Sequence, residues 1–107
     1  MLLFKKKFLE LIRSGTKTQT VRIWPKHRVK VGQKDFVPGL GAVRITGFET
    51  IRPGDLTDAD ARADGFETIE ALLKELRETY GETLDTLPCF KITFLYPFDD
   101  GGGSSGD

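Results

Sequence analysis

The chain is short of several things that would fix its function at once. It has a single cysteine, Cys89, which excludes an internal disulfide framework. It has a single histidine, His27, which excludes a histidine-rich metal site. No apolar run comes near the ~20 residues needed to cross a bilayer. Met1-Leu2-Leu3-Phe4 is too short for a secretory leader, and its lysines follow the apolar stretch rather than precede it. Net charge is zero, so no bulk electrostatic preference for a partner is built in. These absences leave one small cytoplasmic domain with no membrane partner, of 107 residues, within the usual size of about 100–200.

Charge is present but unevenly spread. Residues 1–52 hold twelve Lys/Arg against three acids, and residues 53–107 hold four against thirteen. One consequence is pairing of the two halves across the fold. The other is a basic surface able to bind phosphates. The acids between residues 55 and 70 read as helix-face charges rather than a Mg²⁺ site, so neither metal nor cofactor is expected. Cys89, at the head of an apolar strand, reads as a small buried hydrophobe.

Periodicity gives the element order. Lys5 to Ser14 places Phe8, Leu11 and Ile12 at helical spacing, and Gly15 suits the left-handed residue that ends a helix. Thr18 to Ile23 alternates as a strand, with Thr18, Thr20 and Arg22 on one face and Val21 and Ile23 on the other. Val29 to Val31 reads as a brief extended piece, 35–37 as a strand, and Pro38-Gly39-Leu40-Gly41 as a turn. Ala42 to Ile51 is the longest strand, with Gly47 marking a bulge. Thr57 and Thr68 are N-caps of two helices that stop at Gly65 and Gly81. Cys89 to Tyr96 is a final strand. Residues 99–107 are only Gly, Ser and Asp and read as a disordered tail, leaving residues 1–98 as the domain. More strand pieces than two helices can cover favour an α+β fold, a small barrel with short helices at its ends.

The densest chemistry lies in Gly15-Thr16-Lys17-Thr18-Gln19-Thr20-Val21-Arg22. It presents hydroxyls and a guanidinium on one strand face with an ammonium at its start. This stretch resembles the signature of the ASCH family, Gly-x-Lys-x-x-Glu-x-Arg, at Gly15, Lys17 and Arg22. Thr20 stands where the glutamate would be. Threonine there is what the small bacterial amidohydrolases that deacetylate N4-acetylcytidine carry. Val29-Lys30-Val31-Gly32-Gln33 and the acidic segment 56–66 extend the resemblance, which covers roughly residues 4 to 96.

The resemblance implies a PUA-like β-barrel of about five to six strands and an RNA- or nucleoside-handling domain. It implies an amidohydrolase in which Lys17 activates Thr20 as nucleophile and Asp64 is the acid–base carboxylate, in place of the branch's glutamate. Asp60, one helical turn earlier, is a substitute for Asp64. A lysine enclosed beside Arg22 is expected to be pushed toward its neutral form. Gly15, Arg22, Trp24, Lys26 and Arg28 are the expected substrate- or RNA-binding residues, the last three because aromatic faces stack on bases while cations hold phosphates. The alternatives are a non-catalytic RNA-binding module and a metal-dependent ribonuclease. Oligomeric state is open.

Overall fold

A computed structural model describes residues 1–98; the stretch 99–107, read above as a tail, lies outside the described residues. Helix α1, Lys6–Arg13, leads into strand β1, Gln19–Ile23. Strands β2, Lys34–Val37, and β3, Gly41–Ile51, form a hairpin. Helices α2, Asp58–Ala63, and α3, Ile69–Tyr80, follow, and strand β4, Cys89–Leu95, closes the order. The four strands make one antiparallel sheet in the order β1-β4-β3-β2, curled into a half-barrel.

The α+β, PUA-like architecture expected from the sequence is the one observed. The strand count is not. Four strands are present among the described residues instead of five to six, because Val29–Val31 forms no ladder. Val29 is instead buried in the core with Leu2, Ile12, Val37, Val43, Ile45, Ile92 and Phe94. The Gly47 bulge is real: the β3–β4 register shifts between Ile45 and Gly47. A side chain at Gly47 would meet Thr93 at 3.1 Å, which is why the closest approach falls on a glycine.

A second buried cluster holds α2 and α3 on the sheet. Val21, Ile23 and Cys89 face Leu56, Ala61, Leu72, Leu76 and Leu84. Fully burying a side chain of this size stabilises the fold by about 1.5–3 kcal/mol, so the α3 stripe is what fixes that helix. Both predicted caps form. Thr57 accepts from the Asp60 amide and Asp60 reaches back to the Thr57 amide, a capping box. Thr68 accepts from the Ala71 amide. The first of these boxes sets where α2 begins, and hence where Asp64 falls at its end.

Strand β1 is an edge strand, yet Gln19, Thr20, Val21 and Ile23 are all buried. The simple alternation read from the sequence breaks down because α2 and α3 cover one face while α1 and the chain start cover the other. The free border of β1 is therefore the seam where three separate parts of the chain meet.

Candidate functional site

The seam is built from the α1–β1 turn outward. Gly15, with φ +85°, ends α1 and swings the chain back so that the Lys17 amide bonds Leu11 O at 2.9 Å. The Thr18 amide bonds Ala63 O at 2.8 Å, which ties β1 to the end of α2. Lys17 is thereby turned inward and is only 3% exposed. Its Nζ donates to Asp64 O at 2.7 Å and also to Asp64 Oδ1. Three rings surround the ammonium: Phe8 at 4.9 Å, Phe4 at 5.8 Å and Phe66 at 5.9 Å.

Asp64 is equally buried; Lys17 bonds its Oδ1, the Val21 amide faces the carboxyl, and no donor among the described residues lies at hydrogen-bond distance from Oδ2. Burial pushes its carboxyl above the ordinary range, against the opposing charge and hydrogen bond of Lys17. Burial likewise pushes Lys17 below its ordinary value, with Asp64 opposing and Arg22 adding to the fall. Both causes expected for Lys17 act in the same direction, desolvation as the larger and the Arg22 charge as the smaller. A dry ion pair of this kind holds a proton that a small change in surroundings redistributes.

Thr20 is 5% exposed. Its Oγ1 accepts from Arg22 Nε at 3.0 Å. Arg22 is fixed in turn by Leu3 O, 2.7 Å from a terminal nitrogen, and by the Phe4 ring 4.6 Å away. Lys17, Thr20, Arg22 and Asp64 line one cavity of about 120 Å³, together with Phe4, Phe8 and Phe66. The structure brings the predicted amine, alcohol and carboxylate to one place. It differs in their connections: the Lys17 bonds run to Asp64, and the Thr20 hydroxyl is bonded by Arg22.

Other expected residues lie elsewhere. Gly15 is exposed and shapes the turn without lining the cavity. Asp60 is no substitute for Asp64, because it caps α2 and pairs with Lys91 at 3.1 Å. Trp24, Lys26 and Arg28 do not line the cavity. Arg28 lies 5.5 Å from the Trp24 ring and Trp24 is tilted 6.1 Å from Phe90, while Lys26 is exposed in the loop between them in sequence. His27 stacks on Phe48 beside them, at 4.0 Å. Cys89 is buried and its thiol is pushed up to about 11 by desolvation, which suits a packing role.

The cavity also contains residues that sequence reading missed. Phe8 reads from the sequence as part of an apolar helix stripe, Phe4 and Phe66 carry no such mark, and only the fold shows all three around an ammonium. Glu75, Thr79 and Tyr80 of α3 line the mouth with Lys5. Glu75 accepts from Lys5 at 2.6 Å and from Lys7 at 3.0 Å. The available signal was its place beside Leu72 and Leu76 on the buried stripe of α3.

No protein-family model and no curated protein sequence matches the chain. Several solved structures do resemble it. A hypothetical protein solved by crystallography matches with a TM-score of 0.73 at 20% identity, over 86% of this chain and 93% of that one. An ASCH domain from Lactobacillus crispatus JV V101 matches with a TM-score of 0.68 at 13% identity, over 80% and 67%. A protein of family DUF984 from Enterococcus faecalis V583 matches with a TM-score of 0.62 at 19% identity, over 82% and 68%. These likenesses establish the fold.

Proposed function

We propose that the chain is an amidohydrolase that removes the acyl group from an N-acylated cytidine such as N4-acetylcytidine. The observation that carries this reading is the unpartnered Asp64 Oδ2. It is a buried acceptor in a cavity that also holds a hydroxyl and an ammonium. A secondary amide supplies what is missing there, an N–H donor beside an electrophilic carbonyl.

In the proposed reaction the Thr20 oxygen attacks the acyl carbon. Its proton passes to the Asp64 carboxylate, and Arg22 Nε stabilises negative charge on the oxygen as it is uncovered. The C–N bond then breaks, and Asp64 returns the proton to the leaving cytosine nitrogen. Water hydrolyses the threonyl ester, giving acetate and free Thr20. The Lys17 ammonium, with one N–H not spent on Asp64, lines the same cavity and is a further cation for the oxyanion. Thr18 O and the Trp24 amide both bond toward β4 and its approach, so strand alternation turns the Val21 N–H outward, where it faces the Asp64 carboxyl and favours its charged form.

The test is direct. The protein is incubated with N4-acetylcytidine, and cytidine and acetate are followed in wild type, Lys17→Ala, Thr20→Ala and Asp64→Asn. Turnover in wild type that is lost in the variants supports the reading; absence of turnover in wild type removes it.

A second reading, RNA binding without chemistry, is favoured by Trp24, Lys26 and Arg28, which stand outside the cavity. Salt-sensitive binding of single-stranded RNA, weakened in a Lys26→Ala/Arg28→Ala variant, checks it.

A further inference from the structure

Arg22 brings its charge to the cavity without a carboxylate to meet it. No acid lies within ion-pair distance among the described residues, and the groups that favour its charge, Tyr80, Asp64 and Asp35, act from further off. The partners it does have are all neutral. Nε donates to Thr20 Oγ1 at 3.0 Å, a terminal nitrogen donates to Leu3 O at 2.7 Å, and the guanidinium carbon lies 4.6 Å from the centre of the Phe4 ring. Of the five N–H donors two are used, so three remain on a side chain that lines the cavity. A carboxylate partner would hold the guanidinium more firmly but would spend its charge. Neutral partners hold it and leave the charge for a negative group that forms or enters there.

Among those partners the Phe4 ring is the one that the core itself fixes. Leu2, two residues earlier, is fully buried with Val37 and Val43, and its amide bonds Phe36 O. Phe4 packs against the same cluster and sets its edge on Phe94, with centroids 5.8 Å apart at 60°. The plane offered to Arg22 is therefore placed by the core and not by Arg22. Leu3 O belongs to an exposed residue, and the Thr20 bond fixes only the tip of a side chain rich in rotamers. The Phe4 ring also lies 5.8 Å from Lys17 Nζ, but Lys17 has Phe8 and Phe66 as well. Arg22 has no second ring among the described residues.

We infer that Phe4 is a positioning residue: its ring, seated on the core, holds the Arg22 guanidinium on the Thr20 hydroxyl while leaving the positive charge unspent. This deepens the proposed function and rests on it for the reaction in which that charge is used. Phe4 acts through Arg22 and transfers no proton of its own.

Two measurements test this, and the first needs no turnover. Hydrogen exchange of the Arg22 Nε–H is followed in proton–nitrogen NMR spectra, with the signal assigned by its loss in Arg22→Lys. Phe4→Leu keeps an apolar side chain and removes the ring face. Exchange should then be about tenfold faster, the scale of one partly desolvated cation–ring contact. Trifluorophenylalanine in place of Phe4 nearly keeps the shape and weakens the negative face of the ring, so exchange should quicken there too. Phe4→Tyr keeps the face and should exchange as wild type does. Phe8→Leu, whose ring faces Lys17, should leave this signal unmoved. The second measurement is steady-state acetate release: kcat should fall about tenfold in Phe4→Leu and in the fluorinated protein with KM little changed, and Phe4→Tyr should restore it.

An Nε–H that exchanges freely in wild type, or at the wild-type rate in both ring variants, overturns the inference. So does a kcat that holds at the wild-type level in both. If circular dichroism shows Phe4→Leu to be unfolded, the fluorinated protein carries the comparison. Absence of acetate release from wild type removes the hydrolase, and the exchange rates then decide the role of Phe4 by themselves.

Discussion

Arg22 holds the Thr20 oxygen from the same strand face, two residues on, with Nε at 3.0 Å from Oγ1. The side chain that bonds the candidate nucleophile is thus the motif's arginine. A guanidinium cannot accept a proton, so in the proposed reaction it would orient the hydroxyl and favour the alkoxide. Arg22→Lys keeps the charge and loses the fork. We predict a fall in turnover of about 10²-fold, the usual cost of one transition-state donor. Steady-state rates of acetate release check this, and a variant as fast as wild type would mean that the contact has no part in chemistry.

The Lys17–Asp64 pair should dominate local stability. Removing one partner of a buried pair typically costs about 3–5 kcal/mol. Lys17→Met leaves Asp64 buried without its cation, and Asp64 then escapes the cost by binding a proton. The penalty should therefore be smaller at acidic pH and grow as pH rises. The double variant Lys17→Met/Asp64→Leu should be more stable than the single one at neutral pH. Urea titrations at two pH values measure both effects; a penalty independent of pH would rule out Asp64 as the stranded charge.

Acid sensitivity should come from elsewhere. Burial pushes Glu75 up, but Lys5 and Lys7 outweigh it and hold the carboxyl below its ordinary value. Burial also raises Asp60, and the Thr57 amide and Lys91 outweigh that. For both groups the folded value lies below the unfolded one. Their stabilisation is complete above the ordinary carboxylate range and is lost as pH falls through the folded values. We predict that Glu75→Gln and Asp60→Asn lower Tm at neutral pH and flatten its decline in acid. Tm curves that run parallel to wild type down to the acid limit would contradict this.

Gly65 has φ +97°, and a Cβ there would meet Leu11 Cδ1 at 3.1 Å and Lys17 Cβ at 3.6 Å. Gly65→Ala should cost about 1–3 kcal/mol, the scale of a non-glycine residue held in that backbone region. Because Asp64 is its neighbour, activity should fall by more than the loss of folded protein explains. Specific activity corrected for the folded fraction separates the two; an unchanged corrected value would show that α2 tolerates the shift.

Much of this was legible in the chain itself. Thr57, Thr68, Gly15 and Gly81 mark helix ends through local rules that hold whatever surrounds them. Lys17, Thr20 and Arg22 stood out as a dense polar group on and just before one short strand, and the roles expected of them came from the family resemblance. Asp64 was reachable only through the family resemblance, since nothing local says that the end of α2 docks beside Lys17. The ring of Phe4, Phe8 and Phe66 was hidden for a plain reason: Phe8 facing an ammonium has the same helical spacing as a phenylalanine facing a leucine, and Phe4 and Phe66 lie outside the helices, where no periodicity marks their direction. Glu75 was hidden because an acid flanking an apolar stripe usually meets water. The strand count failed at Val29, where burial as a plug and burial in a ladder leave the same hydrophobic signature.

The sealed border of β1 has a bearing on self-association. A half-barrel has two open rims, and an unpaired rim invites another chain to add a strand. Here one rim is shut by helices and given over to the cavity, and the other is partly taken by the chain start, whose Leu2 amide bonds Phe36 O at 3.0 Å and whose Met1 ammonium meets Asp35 Oδ1 at 2.6 Å. Lys34 and Phe36 still turn their side chains to solvent there, so a strand added by another molecule would first have to displace Leu2.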